Sequence, residues 1–221
     1  MFNFEFDPTY FMGFMLGFVI GTAFHEFMHA YSALLLGDDT AKRQGRVTLN
    51  PIAHFDPLGF FLGVLLALGL GFIAWGRPVP VNPYALRFGR RGMAIVAVAG
   101  PISNLVFALV LAIFLRLGHG VLPDQVSEVV FYMIRINILL FSFNLIPIPP
   151  LDGFNILVGI LPNYWTIVLE PLRRYSLPIL LAAVFFLPYL GRIIGVPLNI
   201  VAQAITPIWQ ALELLLFGWA A

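Results

Sequence analysis

The chain contains no cysteine among its 221 residues. This absence excludes a disulfide framework, a thiolate metal site and a thiol nucleophile. Any metal site must therefore be built from histidine and carboxylate side chains. Charge is also scarce, since charged residues make up 10% of the chain, against about 25% in a typical soluble domain. Together with a hydrophobic fraction of 60%, this scarcity predicts a protein surrounded by lipid rather than water.

The sequence also lacks any long basic block. Its formal net charge is +1, and no run of Lys and Arg is long enough to follow a phosphate backbone, so nucleic acid is not expected as a partner. The first eight residues contain Glu5 and Asp7 but neither Lys nor Arg. Because a signal peptide starts with a basic region, the first apolar run is expected to stay in the mature protein.

Six apolar runs predict an all-α polytopic membrane protein with about five to six transmembrane helices. The second run is only marginally long enough, since its residues reach about 27 Å and a bilayer core measures about 30 Å. We therefore expect it to re-enter the membrane, and we expect short β-like loops at 45–51 and 79–81. The chain is interpreted as one membrane domain, 1–221, with a catalytic core at about 9–161 and C-terminal helices at about 162–221. The runs are 10–36, 58–75, 93–115, 126–146, 177–190 and 193–217.

The placement of basic residues predicts the orientation of the chain in the membrane. Loops 38–57 and 76–92 contain seven of the twelve basic residues, and basic loops lie on the cytoplasmic side. If the second run crossed fully, these loops would lie on opposite sides. A re-entrant second run puts both in the cytoplasm and the amino terminus outside. This version is favoured because it also returns Asp152 to the half of the membrane that contains the second half of the first helix.

The most informative motif is Phe24-His25-Glu26-Phe27-Met28-His29, inside the first apolar run. Two imidazoles at positions i and i+4 share one helix face, about 6 Å apart along the axis. Both can reach one zinc ion, and Glu26 lies on the adjoining face, where it can take a proton from water. Ionisable residues at membrane depth are costly, so this cluster is interpreted as a functional site.

A catalytic zinc ion takes three protein ligands, and the sequence offers two candidates for the third. Asp152 follows Pro147, Pro149 and Pro150, where the helix must break. Irregular backbone at membrane depth is tolerated where it lines a cavity, so Asp152 is favoured. His54 is the alternative, although it lies in a polar loop and together with Asp56 is better interpreted as local capping of the next helix.

Three motifs in order resemble the site-2 proteases, which are intramembrane zinc metalloproteases. They are H-E-F-M-H, A-G-P-I-S-N in the third apolar run and N-L-I-P-I-P-P-L-D-G after the fourth, and the resemblance covers about 9–161. It implies that His25, His29 and Asp152 bind one zinc ion per chain and that Glu26 is the catalytic acid and base. It also implies that Asn144 lies near substrate. The resemblance implies less directly that Asn104 contacts substrate or orders the core.

The implied activity is hydrolysis of peptide bonds within or near transmembrane helices of membrane-protein substrates, as in regulated intramembrane proteolysis. The implied surroundings are lipid, in a prokaryotic cell (inner) membrane, with the active site towards the cytoplasmic half. Two alternatives stay open at this point. A metal transporter would also place His and Asp in the membrane, and a catalytically inactive relative would bind helices without cutting them.

Overall fold

The computed structural model describes residues 6–218 and is helical, with no β-strand in that range. Short 3₁₀ turns at Pro51–His54 and Glu170–Tyr175 and a π-helical turn at Ala182–Phe186 join some of the helices. In chain order the helices are α1 (Pro8–Leu35), α2 (Thr40–Arg43), α3 (Pro57–Ala67), α4 (Arg90–Leu117), α5 (Asp124–Asn144), α6 (Asp152–Ile160), α7 (Asn163–Leu169), α8 (Ser176–Leu181), α9 (Leu187–Ile194) and α10 (Ile200–Phe217).

A stripe of glycines on α1 lets α5 approach it closely. Gly13, Gly17 and Gly21 repeat every four residues and therefore share one face of the helix. A Cβ atom on Gly17 would lie 2.8 Å from the Cα atom of Met133 on α5, closer than real contacts allow. Small residues commonly make such close approaches between membrane helices. The next two positions of the repeat are the histidines of the motif, which the same packing turns towards the interior.

Helices α1, α4 and α5 pack against one another and form the centre of the molecule. Ala108 on α4 and Ile134 and Ile138 on α5 are fully buried where these two helices meet. The opposite face of α4 exposes large apolar side chains, including Ile102 and Val110. An apolar exterior around a packed interior is the arrangement expected of a protein in lipid.

Within the described residues, five helical segments are long and apolar enough to cross a membrane. This number agrees with the five to six transmembrane helices predicted from the sequence. The protein is therefore an all-α integral membrane protein. The segments are Pro8–Leu35, Arg90–Leu117, Asp124–Asn144, Asn163–Ile194 and Ile200–Phe217.

The second apolar run forms a hairpin in which the chain turns back on itself. Helix α3 has 11 residues and is about 16 Å long at 1.5 Å per residue, too short to cross. The chain then returns, and the backbone N–H of Arg77 donates to the carbonyl oxygen of His54 over 2.8 Å. Residues before and after the hairpin are thus hydrogen-bonded to each other, as a re-entrant segment requires. Asp56 caps α3 as expected, accepting from the N–H of Gly59 over 2.7 Å.

The loops expected to be β-like contain no strand in the structure. Residues 71–82 have neither helix nor strand hydrogen bonding, and residues 45–51 form turns and bends that lead into the 3₁₀ turn. The prolines at positions 78, 80 and 83 remove backbone donors, so a regular ladder cannot form along the first of these segments. The N–H groups of Val79 and Asn82 in this segment donate instead to side-chain carboxylates.

The C-terminal third packs onto the centre through the part of α5 that contains Arg135. Arg135 on α5 forms an ion pair with Glu213 on α10, with Nε and Oε1 2.9 Å apart. The same guanidinium lies over the ring of Trp209, 5.2 Å from its centroid. Opposite charges that neutralise each other avoid the cost of exposing either to lipid. This pair therefore attaches α10 to the centre.

Candidate metal centre

His25 and His29 are buried on α1, with 9% and 8% of their surface exposed. The Nδ1 atom of each ring lies 2.7 Å from a carbonyl-type oxygen, the Oδ1 of Asn104 for His25 and the backbone oxygen of Val96 for His29. Oxygens of this kind only accept, so each Nδ1 carries the hydrogen. Each Nε2 is left with a lone pair available to a metal, which is the usual arrangement for histidine ligands.

Asp152 brings a carboxylate to the same point. Helix α5 ends at Asn144 and α6 begins at Asp152, so the proline-rich stretch breaks the helix as predicted. The Oδ2 atom of Asp152 lies 3.1 Å from His25 Nε2 and 3.2 Å from His29 Nε2, and the two Nε2 atoms are 2.9 Å apart. Sequence positions separated by more than a hundred residues thus converge on one small triangle.

This triangle fits a zinc ion. Zinc ligands lie about 2.0–2.2 Å from the metal in tetrahedral sites, so neighbouring ligand atoms are about 3.3 Å apart. The Oδ2 atom of Asp152 is buried and has no hydrogen-bond partner among the described residues. Two nitrogen lone pairs and a carboxylate oxygen at these distances repel one another unless a positive charge lies between them. The donor set, two imidazoles and one carboxylate, is one that catalytic zinc sites use.

Helix α4 forms the wall of this site at Gly100. A Cβ atom at this position would overlap the Nε2 atom of His29 and lie 2.8 Å from the Cε1 atom of His25. Only glycine therefore leaves room for both rings. The next residue, Pro101, lies inside α4, where it has no backbone N–H to donate. The A-G-P-I-S-N motif thus has a physical reason in the structure.

Glu26 follows His25 in the sequence and is also buried, with 8% of its surface exposed. Its Oε2 atom accepts a hydrogen bond from the backbone N–H of Val79 over 2.7 Å. The re-entrant hairpin therefore ends in a segment that orients the carboxylate of Glu26. One oxygen is used in this contact, and the other stays available for proton transfer.

His54 is not part of the triangle, so the alternative third ligand is wrong. Its Nε2–H donates to the oxygen of Thr48 over 2.8 Å, and its Nδ1 accepts from Arg46 over 3.3 Å. Both ring nitrogens are thus used in ordering the loop. Burial lowers the pKa of His54, and although the bond to Thr48 opposes this, the neighbouring Arg46 charge lowers it further.

The two asparagines predicted to contact substrate lie in different settings. Asn104 is fully buried, and the contacts that the structure gives it are with His25, Gly21 and Asn137. Asn144 ends α5, and its amide nitrogen donates to the oxygen of Leu140 over 2.9 Å. Substrate contact by either residue stays a prediction, and the position of Asn104 is that of a residue that orders the core.

Sequence reasoning missed three features of this site. The glycine stripe on α1 could have been found, because its four-residue repeat runs directly into the two histidines. The contact of Val79 with Glu26 is made by a backbone group and has no sequence signal. Asn137 was not singled out, although a lone Asn in an apolar helix always needs a partner.

Comparisons with known proteins indicate the family of the chain. The model of the family described as Peptidase family M50 matches residues 119–187. YwhC of Bacillus subtilis is 40% identical over 151 residues, 65% of this chain and 67% of its own length. Rip2 of Mycobacterium tuberculosis H37Rv is 33% identical over 181 residues, which cover 79% of this chain and 67% of Rip2. MJ0611 of Methanocaldococcus jannaschii is 32% identical over 159 residues, which cover 71% of this chain and 74% of MJ0611. No solved structure matches the chain.

All three relatives carry the provisional name of zinc metalloprotease. Their identity to this chain extends over most of its length, beyond the part that the family model matches. Zinc is also the metal that the donor set of the triangle fits. The chain therefore belongs to peptidase family M50, the site-2 protease family, and is an integral-membrane zinc metalloprotease.

Proposed function

We propose that this protein is a site-2-type intramembrane protease that hydrolyses peptide bonds within or near transmembrane helices of other membrane proteins. The observation that supports this most directly is the triangle of His25, His29 and Asp152. It lies between helices that are apolar on their outer faces and long enough to span the bilayer. A protease site in that position meets its substrate in lipid.

The proposed ligands are His25, His29 and Asp152, which together hold one zinc ion per chain. When bound there, zinc would polarise the scissile carbonyl and make the attacking water more acidic. Glu26 accepts the proton of that water and delivers it to the leaving nitrogen. The N–H of Val79, 2.7 Å from Oε2, keeps the carboxylate oriented through both transfers.

Substrate binding needs a locally unwound chain, because a helical peptide bond is shielded by its own hydrogen bonds. The segment from Pro78 to Val81 is neither helical nor paired in a sheet, and two of its residues are prolines. Among the described residues, no hydrogen bond is made to its carbonyl oxygens. These oxygens can accept from an unwound substrate that adds along this edge. The side-chain amide of Asn144, at the end of α5, is the proposed second contact to substrate backbone.

The site is proposed to face the cytoplasmic half of a prokaryotic cell membrane. Hydrogen bonds join the two loops that contain most of the basic residues. The carboxylate of Asp38 accepts from the backbone N–H of Asn82 over 2.6 Å, and the backbone N–H of Arg87 donates to the carbonyl oxygen of Leu36, at the end of α1, over 2.8 Å. Both loops thus lie on one side, and the excess of basic residues makes that side cytoplasmic. Water reaches the metal from this side.

The proposal is tested by two variants of the purified protein with a membrane-protein substrate. Glu26→Gln keeps the three ligands and removes the base, so it should retain one zinc ion per chain and lose cleavage by at least about a hundredfold. His25→Ala should lose both zinc and cleavage. Zinc is measured by elemental analysis and cleavage by the appearance of product fragments.

Two results would contradict the proposal. Undiminished cleavage by Glu26→Gln would remove the proposed role of that residue. Zinc flux into vesicles containing the wild-type protein, without cleavage of any substrate, would favour the transporter alternative.

A further inference from the structure

Two asparagines link the metal centre to the packing of three helices. Asn104 on α4 and Asn137 on α5 are both fully buried, and the Nδ2 atom of Asn104 lies 3.0 Å from the Oδ1 atom of Asn137. Two polar side chains of this kind at the centre of an apolar bundle are costly unless every group is paired. The contacts on either side of this pair determine which way each amide points.

The orientation of Asn137 is determined by carbonyl groups. Its Nδ2 donates to the backbone oxygen of Met133 over 2.8 Å and to that of Gly17 over 3.2 Å. A flipped amide would place Oδ1 against two carbonyl oxygens, and neither could donate to it. The Oδ1 atom must therefore face Asn104. Gly21 makes room for this arrangement, because a Cβ atom there would overlap the Oδ1 atom of Asn137.

The orientation of Asn104 follows from the same logic. Its Nδ2 donates to two acceptors, the oxygen of Gly21 over 3.0 Å and the Oδ1 of Asn137 over 3.0 Å. Its Oδ1 therefore has to face His25, 2.7 Å from Nδ1. That contact requires the hydrogen of His25 to be on Nδ1, which leaves Nε2 free to bind metal.

We propose that Asn137 is a positioning residue for the zinc site, acting through Asn104 to hold the ring of His25 in the tautomer and orientation that bind the metal. It contacts neither metal nor substrate. Its effect is carried by one hydrogen bond to a residue on another helix, and its own anchors lie on α1 and α5. The packing of α1, α4 and α5 is thereby coupled to metal affinity. The inference rests on the proposed assignment of His25 as a zinc ligand.

The test is a double-mutant cycle on zinc affinity, measured on the purified full chain by competition with a chromophoric chelator. Asn104→Ala and Asn137→Ala should each weaken zinc binding by about tenfold or more, the range found for residues that support metal ligands. If Asn137 acts through Asn104, the double variant should bind zinc no more weakly than Asn104→Ala alone. Additive losses, or an affinity of Asn137→Ala within twofold of wild type, would overturn the inference.

A matched control separates positioning from general damage to α5. Ser142 is also fully buried on α5, and its hydroxyl has no partner among the described residues, so Ser142→Ala should leave zinc affinity unchanged. Cobalt substituted for zinc gives a visible spectrum that reports ligand geometry. This spectrum should change in Asn137→Ala and stay as in wild type in Ser142→Ala. A spectrum of Asn137→Ala identical to that of wild type counts against the inference.

Two further measurements keep the outcome interpretable. Asn137→Leu, which fills the volume without a polar group, replaces Asn137→Ala in the cycle if the alanine variant does not fold. His25→Ala is measured in parallel. If His25→Ala binds zinc as wild type does, the ligand assignment itself fails, whereas loss of zinc there with full affinity in both Asn137 variants refutes only the positioning role.

Discussion

At the scale of single residues, the site depends on the absence of side-chain atoms as much as on their presence. Three ligand atoms can meet only because no Cβ atom of α4 occupies the space in front of the histidine rings. Gly100 provides that space. The donor residues determine which metal is bound, whereas the glycine determines whether their rings can take up the necessary positions.

Gly100→Ala should therefore disturb the metal site without changing a ligand. The added methyl group overlaps the Nε2 atom of His29, so the ring has to move, and shifts of about 1 Å at a catalytic centre lower rates about a hundredfold. We expect zinc affinity and cleavage to fall together, measured by chelator competition and by product formation. Ile102→Ala, on the exposed face of the same helix, is the control and should change neither. Full activity in Gly100→Ala would contradict the close contact between α4 and the two histidine rings.

At the scale of elements, the hairpin and the segment after it are held against α1 by buried polar contacts. Asp38, fully buried just beyond α1, accepts from the N–H and hydroxyl of Thr40 and from the N–H of Asn82. The segment that it anchors contains Val79, which orients Glu26. The carboxylate of Asp38 thus helps to position the segment that contacts Glu26, the proposed base.

Asp38 should contribute to stability in a pH-dependent way. Burial raises the pKa of Asp38, but the hydrogen bonds from Thr40 and Asn82 outweigh burial and lower the pKa below 3.8. Its contribution is therefore complete above about pH 4 and is lost as the pH falls through its lowered pKa. We expect Asp38→Asn to lower the free energy of unfolding by about 1–3 kcal/mol at pH 7, a difference that shrinks in acid.

The measurement is denaturant unfolding of the detergent-solubilised protein between pH 3 and pH 7. Asp39→Asn is the matched control, because its carboxylate pairs with Arg43 and half of its side-chain surface is exposed. Asp39→Asn should lower the free energy of unfolding by less than about 1 kcal/mol. An equal loss in both variants would mean that Asp38 is not the anchor of this segment.

At the scale of the whole molecule, the helices divide into a packed centre and a peripheral C-terminal part. Helices α1, α4 and α5, with α6, form the centre, and α10 is attached to it through Arg135 and Glu213. The division into a catalytic core at 9–161 and C-terminal helices at 162–221 remains a proposal. The proposed orientation of the molecule rests on the hairpin, which brings both basic loops together.

Cysteine labelling can test that orientation directly, because the natural chain has no cysteine. Tyr84 is 99% exposed in the loop before α4, and Val121 is 84% exposed in the loop after it. We expect a membrane-impermeant maleimide to label Val121→Cys in intact cells and Tyr84→Cys only after permeabilisation. Labelling of Tyr84→Cys in intact cells, with protection of Val121→Cys, would reverse the proposed orientation.

Much of this protein could be predicted from the residues in order. Apolar runs determine the spans because lipid cannot satisfy backbone groups, so each crossing has to be a helix. The spacing of His25 and His29 follows from the helical repeat, and the break before Asp152 follows from its prolines. The re-entrant second run was predicted from its length and from the flanking basic residues, and the short helix α3 with the return of the chain from Arg77 to His54 supports that prediction.

Only the tertiary structure decided which distant groups meet. Local sequence favoured Asp152 over His54, but whether its carboxylate reaches the two histidines depends on how α6 packs against α4. The same holds for Gly100 beside the rings, for the N–H of Val79 on Glu26 and for Asn137 behind Asn104. Each of these contacts joins positions far apart in the chain, so its geometry is a property of helix packing and has no counterpart in local sequence.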